Sequence, residues 1–294
     1  MSIDRFLHIT DLHFWEIVRN PFAMLNKRAL GNINVLLRRR HEFHMDRADA
    51  FADMAISTGI TTLLLGGDFT STATEHEFEL ARRWTHRIAD RGLQIHVLPG
   101  NHDVYTFESV RSKRFVAYFR EFIPKGGYPA RVELPGGTPL ILVPTVVPNF
   151  LSSKGRITKK QIKATARLLE ACPKRPIVVA GHYPVLHKTG AYSSSASRRL
   201  RRAEALGEVL GQAQRPILYL AGHVHRFSHT IDPEYPQVQH VTSAAFFLKR
   251  PRESQQGGFS EIHIHETGFQ VFRHWCDEKW DVSLEVPLPL DYDL

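Results

Sequence analysis

An α/β fold is predicted by three features of this 294-residue sequence. Short apolar runs recur along most of the chain, each too brief for a helix. Amphipathic stretches opened by helix-capping signals separate them. The apolar runs end, one after another, in glycine, Asp, Asn or His, which places polar chemistry at one end of a set of strands.

Residues 6–10 read as the first strand, with Asp11 at its carboxyl end. Alternation along a strand would put Asp11 and His13 on one side and Leu12 on the other. Residues 14–44 interrupt the strand–helix rhythm. There Phe22, Leu25, Leu30, Ile33, Val35, Leu36 and Leu37 are interleaved with Lys27, Arg28, Arg38, Arg39 and Arg40. Such a mixture suits an anionic membrane surface or the mouth of a lipid site, and equally a helical hairpin with solvated arginines.

A helix is expected over 45–57, with Phe51, Met54 and Ala55 on one face, then a buried strand over 61–65 ending in Gly66-Gly67-Asp68. Thr74 and Glu77 have capping-box spacing for a helix to about Arg91, with Phe78, Ala81, Trp84 and Ile88 as its core stripe. Residues 94–98 form the next strand, and Pro99-Gly100 turns the chain into Asn101-His102-Asp103. Asn101 offers a neutral oxygen, His102 a titratable imidazole, and Asp103 a carboxylate able to orient that imidazole. A helix is expected over 109–122 with Arg111, Lys113 and Arg114 exposed, and a hairpin over 131–146 around Pro135-Gly136-Gly137.

Thr158 and Gln161 repeat the capping-box spacing for a helix to about Ala171. A strand over 176–180 ends in Gly181-His182. The serine-rich loop over 192–197 leads to a helix begun by Arg198, Arg199, Arg201 and Arg202, and a strand over 216–221 ends in Gly222-His223-Val224-His225. After His225 only short strands are expected, around 229–231, 238–242, 261–265 and 270–274, as a second sheet. One domain over 1–280 follows, with a basic-apolar insert at about 16–44 and an irregular tail over 281–294.

The composition, 43% hydrophobic and 23% charged, is that of a folded globular chain rather than a disordered one. The net charge of +8 and pI of 9.6 suit an anionic partner, or simply a solvated basic surface. Two cysteines, Cys172 and Cys276, give no disulfide framework. The chain enters its first strand without a signal-like leader, and no run is long enough to span a bilayer. A cytoplasmic protein is expected, with contact at the inner membrane face as the option the insert raises.

The strand ends together carry Asp11, His13, Asp68, Asn101, His182, His223 and His225. Oxygen and imidazole donors without thiolate suit Mn, Fe or Zn and do not choose among them; Mn is the favoured expectation. Seven donors exceed what one ion needs; with one shared carboxylate they suit two ions ~3.5–4 Å apart. His8, His96, His187, His240 and His263 read as scaffold.

The ordered set Asp11-x-His13, Gly67-Asp68, Gly100-Asn101-His102-Asp103, Gly181-His182 and Gly222-His223-x-His225 resembles the calcineurin-like metallophosphoesterase superfamily over about residues 6–226. The resemblance implies a four-layer αββα sandwich of two mixed sheets flanked by helices, with a dinuclear centre. It implies that Asp11, His13, Asp68 and His225 hold one ion. Asp68, Asn101, His182 and His223 would hold the other, with Asp68 bridging. His102 would protonate the leaving oxygen, Asp103 would orient it, and hydroxide generated at the metals would attack phosphorus in line.

Protein phosphatases of this superfamily carry an arginine shortly after the shared aspartate. Here Gly67-Asp68-Phe69-Thr70-Ser71 lacks it, so a phosphodiester or pyrophosphate bond is the expected target. The sequence resembles both UDP-2,3-diacylglucosamine pyrophosphohydrolases of lipid A synthesis and class III cyclic-nucleotide phosphodiesterases. The basic-apolar insert favours the nucleotide-lipid substrate, whose phosphates Arg198, Arg199, Arg201 and Arg202 would bind. A non-catalytic basic binding module is the alternative of another class. No specific nucleic-acid motif occurs, and oligomeric state is not encoded in any of these patterns.

Overall fold

A computed structural model describes residues 3–16, 42–43, 47–148, 152–173, 175–249, 257–276 and 280–285. The basic-apolar insert falls almost entirely outside the described residues.

The first sheet is built around three adjacent parallel strands, β1 (Asp4–Ile9), β2 (Thr62–Leu65) and β3 (Gln94–Val97). Helices α1 (Arg47–Ser57) and α2 (Glu75–Ala89) follow β1 and β2. Thr74 caps α2 as its spacing predicts: its side chain accepts from the Glu77 N–H, and the Glu77 carboxylate accepts from the Thr74 N–H. Phe78, Ala81, Trp84 and Ile88 are buried along it.

The expected helix over 109–122 is instead broken into α3 (Phe107–Arg111), α4 (Arg114–Phe119) and a short 3₁₀ turn. Lys113 takes a left-handed conformation at the break. The break lets Arg114, expected on the exposed side, turn inward to the Ala73 carbonyl and the Glu108 carboxylate.

The second sheet begins with the hairpin of β4 (Ala130–Glu133) and β5 (Pro139–Leu142). Two short strands, β6 (Gly155–Arg156) and β8 (Leu200–Arg201), pair separately. Helix α5 (Lys159–Glu170), capped by Thr158 and Gln161, leads to β7 (Ile177–Ala180). Helix α6 (Ala203–Gly211) leads to β9 (Ile217–Ala221).

The strands after His225 divide between both sheets rather than making one of their own. β10 (Ser228–Ile231) and β11 (Val238–Thr242) extend the second sheet, in order β10-β11-β9-β7-β5-β4. β12 (Gly258–His265), β13 (Gly268–Cys276) and β14 (Trp280–Glu285) return to the first, in order β14-β13-β12-β1-β2-β3. Residues 280–285 are therefore strand, where an irregular tail was expected from 281. Trp280, Val282 and Leu284 carry the alternation that signals it.

Side-chain alternation builds the four layers. Phe6, Leu64, Leu140, Leu142, Val178, Ala180, Leu218 and Leu220 meet in a core between the sheets. Their strand neighbours Leu7, Leu63 and Leu65 face the helices of the first half. Ile141, Val179, Ile177 and Ile217 face those of the second. Burying a side chain of this size contributes roughly 1.5–3 kcal/mol, so the sheets need no bridging segment to stay apposed. This is the mixed α/β sandwich of two sheets flanked by helices that the sequence predicts. Among the described residues no helix is long and apolar enough to cross a membrane.

Candidate metal centre

The carboxyl ends of β1, β2 and β3 in one sheet and β7 and β9 in the other open on one crevice. All seven predicted donors lie on the loops that leave those ends. Asp11 and His13 reach it differently from the way strand alternation predicts. The chain leaves β1 before Asp11, and both residues adopt positive φ, 55° and 51°. Asp68, His223 and His225 do the same, at 57°, 67° and 58°. Each such residue costs on the order of 1–2 kcal/mol, which backbone bonds between the loops offset. Asp11 N–H donates to the Gly67 carbonyl (2.9 Å), and His13 N–H to the Asp68 carbonyl (2.9 Å).

Two glycines permit the close approach. A methyl group at Gly100 would overlap the Asp68 backbone nitrogen and carboxylate, and one at Gly222 would overlap Thr10 and Asp11. Asp11 spans the sheets, since its Oδ2 accepts from the His223 N–H (2.9 Å) and the Thr10 hydroxyl (2.8 Å). Its Oδ1 is buried and accepts no well-directed hydrogen bond, although His225 Nε2 lies 3.2 Å away.

That carboxylate belongs to a group of four donors. Asp11, His13, Asp68 and His225 each offer an atom within 4.8 Å of the others. Asp68 also faces the second group, with Oδ2 3.7 Å from His13 Nε2 and 3.4 Å from His182 Nε2. Asn101 Oδ1 lies 3.2 Å from His182 Nε2 and 2.9 Å from His223 Nδ1. Asp68 Oδ1 is fixed by the backbone N–H of His102 (2.7 Å).

The outer nitrogens set the tautomers. His13 Nδ1 faces the Thr70 carbonyl (3.2 Å), His182 Nδ1 the Gly66 carbonyl (3.0 Å), and His223 Nε2 the Arg198 carbonyl (3.1 Å). A proton on each of those atoms leaves the inward nitrogen as an acceptor. Lone pairs then point at carboxylate and amide oxygens and at each other, with His13 Nε2 only 3.0 Å from His225 Nε2. A buried donor set without donor hydrogens is complementary to cations. The residues present therefore fit divalent cations, with Asp11, His13, Asp68 and His225 the group whose donor atoms lie together.

Electrostatics agree. Burial works against ionisation of Asp68, but the imidazoles of His182, His102 and His13 outweigh it and hold the carboxyl well below the usual range. Burial disfavours the cation at His182 as well, yet the Asp68 carboxylate beside it raises its pKa to about 9. His223 is pushed down to about 3 by burial and by His182.

His102 stands at the edge of this group, its ring centroid 4.8 Å from that of His13 and stacked on Tyr105 at 5.1 Å. The expected orienting contact from Asp103 is absent. Asp103 instead accepts from the Gly100 N–H (2.8 Å), the Thr70 N–H (3.0 Å) and the Thr70 hydroxyl (3.1 Å), which holds the loop. The His102 ring is oriented by the Ser71 carbonyl, 2.6 Å from Nδ1. A carbonyl contact of this kind leaves no mark in the residue type, so sequence reasoning missed it.

The four arginines separate. They do not begin a helix: Arg201 lies in β8, and Arg202 precedes α6 in a left-handed conformation. Arg198 lines a cavity shared with His223. Arg199 donates to the Ser194 carbonyl and Arg202 to the Ile157 carbonyl, and neither lines that cavity. Phe43, also missed, puts its ring 5.1 Å from His13. Of the scaffold histidines, His8 bonds Ser243, His240 pairs with Asp232, and His263 pairs with Glu261.

The family model for calcineurin-like phosphoesterases matches residues 4–227. The fold is similar to that of a dimetal phosphatase from Danio rerio, at 15% identity and TM-score 0.61 over 93% of this chain and 96% of that one. It is similar to purple acid phosphatase PPD1 from yellow lupin, at 12% identity and TM-score 0.59 over 92% of this chain and 51% of that one. It is also similar to the protein TT1561 of Thermus thermophilus, at 12% identity and TM-score 0.52 over 92% of this chain and 98% of that one. At these identities the likeness is one of fold. No curated protein sequence matches the chain.

Proposed function

The chain belongs to the calcineurin-like phosphoesterase family and is a metal-dependent phosphohydrolase; from that premise we propose that it cleaves a phosphodiester or pyrophosphate bond, with UDP-2,3-diacylglucosamine as the first substrate to test. The observation that carries the reading is Asp68, whose carboxylate faces histidines on both sides of the crevice. Asp11, His13, Asp68 and His225 would hold one ion, and Asp68, Asn101, His182 and His223 the other, with Mn favoured over Fe and Zn. Such ions lower the pKa of water and neutralise phosphate oxygens.

The protein's own groups supply the remainder. With Nδ1–H donated to the Ser71 carbonyl, His102 has Nε2 as the atom that carries a proton to the leaving oxygen. Tyr105 beneath the ring and the Asp103-braced loop keep it there. The missing arginine after Asp68 supports a diester or pyrophosphate over a phosphoprotein.

The nucleotide-lipid choice rests on the basic-apolar residues 20–40, and exposed Phe107 and Val110 on the helix after the His102 loop are consistent with it. That surface would work at the inner face of a membrane, within one domain over 1–280. Cyclic nucleotides are the second reading, since the five motifs resemble those of class III cyclic-nucleotide phosphodiesterases equally. Turnover of UDP-2,3-diacylglucosamine, cyclic AMP and an aryl phosphodiester under Mn, Fe and Zn tests the choice. Release of the acylated sugar phosphate supports the lipid reading; cleavage of cyclic AMP alone overturns it.

A further inference from the structure

Beside the candidate metal centre lies a cavity of about 280 Å³, walled by Ser193 and Ser195, by Arg198, and by His223, Val224 and Arg226. None of its lining residues is acidic. The loop that forms one wall is pinned along its length. Ser194 N–H donates to the His187 carbonyl (2.8 Å), Arg198 N–H to the Ser195 carbonyl (2.9 Å), and Ser153 N–H to the Ser197 carbonyl (3.2 Å). The guanidinium of Arg199 holds the Ser194 carbonyl from outside (2.9 Å).

Arg198 has two separate parts to play. Its carbonyl accepts from His223 Nε2 (3.1 Å), which anchors the residue against a candidate metal ligand. Its side chain has no carboxylate partner among the described residues and lines the cavity. An exposed guanidinium carried on an anchored backbone, with serine hydroxyls lining the same cavity, is suited to a phosphate oxygen.

We propose that this cavity is a subsite for a second phosphoryl group of the substrate, and that Arg198 is the residue that recognises it. The inference rests on the reading of the neighbouring centre as the place where the first phosphoryl group is cleaved. A pyrophosphate-bearing nucleotide would engage both places at once, whereas a simple diester engages only the centre. Of the four arginines singled out by sequence, this assigns a specificity role to one.

AMP and ADP are suitable probes because they differ by one phosphoryl group. Their binding to the metal-loaded protein is measured by calorimetry, and their inhibition of bis-p-nitrophenyl phosphate hydrolysis is measured in excess metal. ADP is expected to bind the native protein roughly ten-fold more tightly than AMP. Arg198→Ala is expected to remove most of that ratio, and Arg198→Lys to restore part of it. Both variants keep the carbonyl that holds His223, and their metal content verifies this. An ADP-to-AMP ratio unchanged in Arg198→Ala overturns the subsite. If the metal-loaded protein does not hydrolyse the diester at all, the cleavage reading fails, while the calorimetric ratio still decides whether Arg198 recognises the second phosphoryl group.

Discussion

Asp68 Oδ2 lies 3.4 Å from His182 Nε2, so a carboxylate from the end of β2 meets an imidazole from the end of β7 across the gap between two sheets. The same carboxylate faces His13 at 3.7 Å. Its position between two donor groups makes it the group whose loss should empty both. Asp68→Asn is expected to bind one ion or none where the native protein binds two, and to lose hydrolysis in step. Metal analysis by mass spectrometry after dialysis measures this. Two retained ions in Asp68→Asn would remove Asp68 from the bridging position.

His102 is held at Nδ1 and presents Nε2, so its contribution should depend on how much the leaving group needs a proton. For an alkyl diester, His102→Ala is expected to lower kcat by roughly 10²–10⁴-fold. For a p-nitrophenyl diester, whose leaving group departs unprotonated, the loss should be much smaller. Equal losses on both substrates would assign His102 to binding rather than to proton transfer.

Removing the ions should cost stability as well as activity, because Asp11 Oδ1 and the closely set imidazole nitrogens of His13 and His225 then lose the cation between them. Five of the candidate ligands also sit at positive φ. An ion at a thousand times its Kd adds about 4 kcal/mol to the folded state. Excess chelator is therefore expected to lower the thermal midpoint by roughly 10 °C, and re-addition of Mn to restore it. A midpoint indifferent to chelator would mean that the seven donors do not hold ions in the native protein.

The close approach at Gly222 gives a test that removes no ligand. A methyl group there would press on Asp11 and Thr10, where overpacking costs roughly 1–3 kcal/mol. Gly222→Ala is expected to fold, with metal affinity reduced because Asp11 is pushed from its place. Circular dichroism and metal titration together measure this. Unchanged affinity would show that the loops have slack.

What the sequence made legible was mostly local. The capping boxes at Thr74 and Thr158 involve residues three apart and appear where expected. The apolar runs before Asp11, Asp68, Asn101, His182 and His223 are strands because each is buried on both faces. The misplaced features are those set by distant partners. Asp11 and His13 converge through left-handed turns held by the loop after β2, not through alternation. Arg114 is buried because Ala73 and Glu108 receive it. Asp103 serves Gly100 and Thr70, while a main-chain oxygen of Ser71 takes the His102 ring. Nor does a strand state in its residues which of two sheets it will join, as β12 does with β1.

Glu77 offers a pH test away from the ligands. It is fully buried, and its carboxylate accepts from the Thr72 N–H (2.8 Å), the Thr72 hydroxyl (3.1 Å) and the Thr74 N–H (3.3 Å). Burial pushes its pKa up from 4.5 to about 7, more than these donors pull it down. Below pH 4.5 both folded and unfolded states hold the proton, and Glu77 adds no slope. Between about 4.5 and 7 the unfolded chain releases the proton while the folded chain keeps it, so stability falls as pH rises. The full swing is on the order of 3 kcal/mol, and it levels off above about pH 7. Glu77→Gln stays neutral and can still accept from both N–H groups, so it should lack this slope and be the more stable protein at about pH 8. Urea unfolding from about pH 4.5 to 8 measures the difference. A variant that keeps the native slope, or that is the weaker protein at the alkaline end, would show that the three donors hold Glu77 ionised.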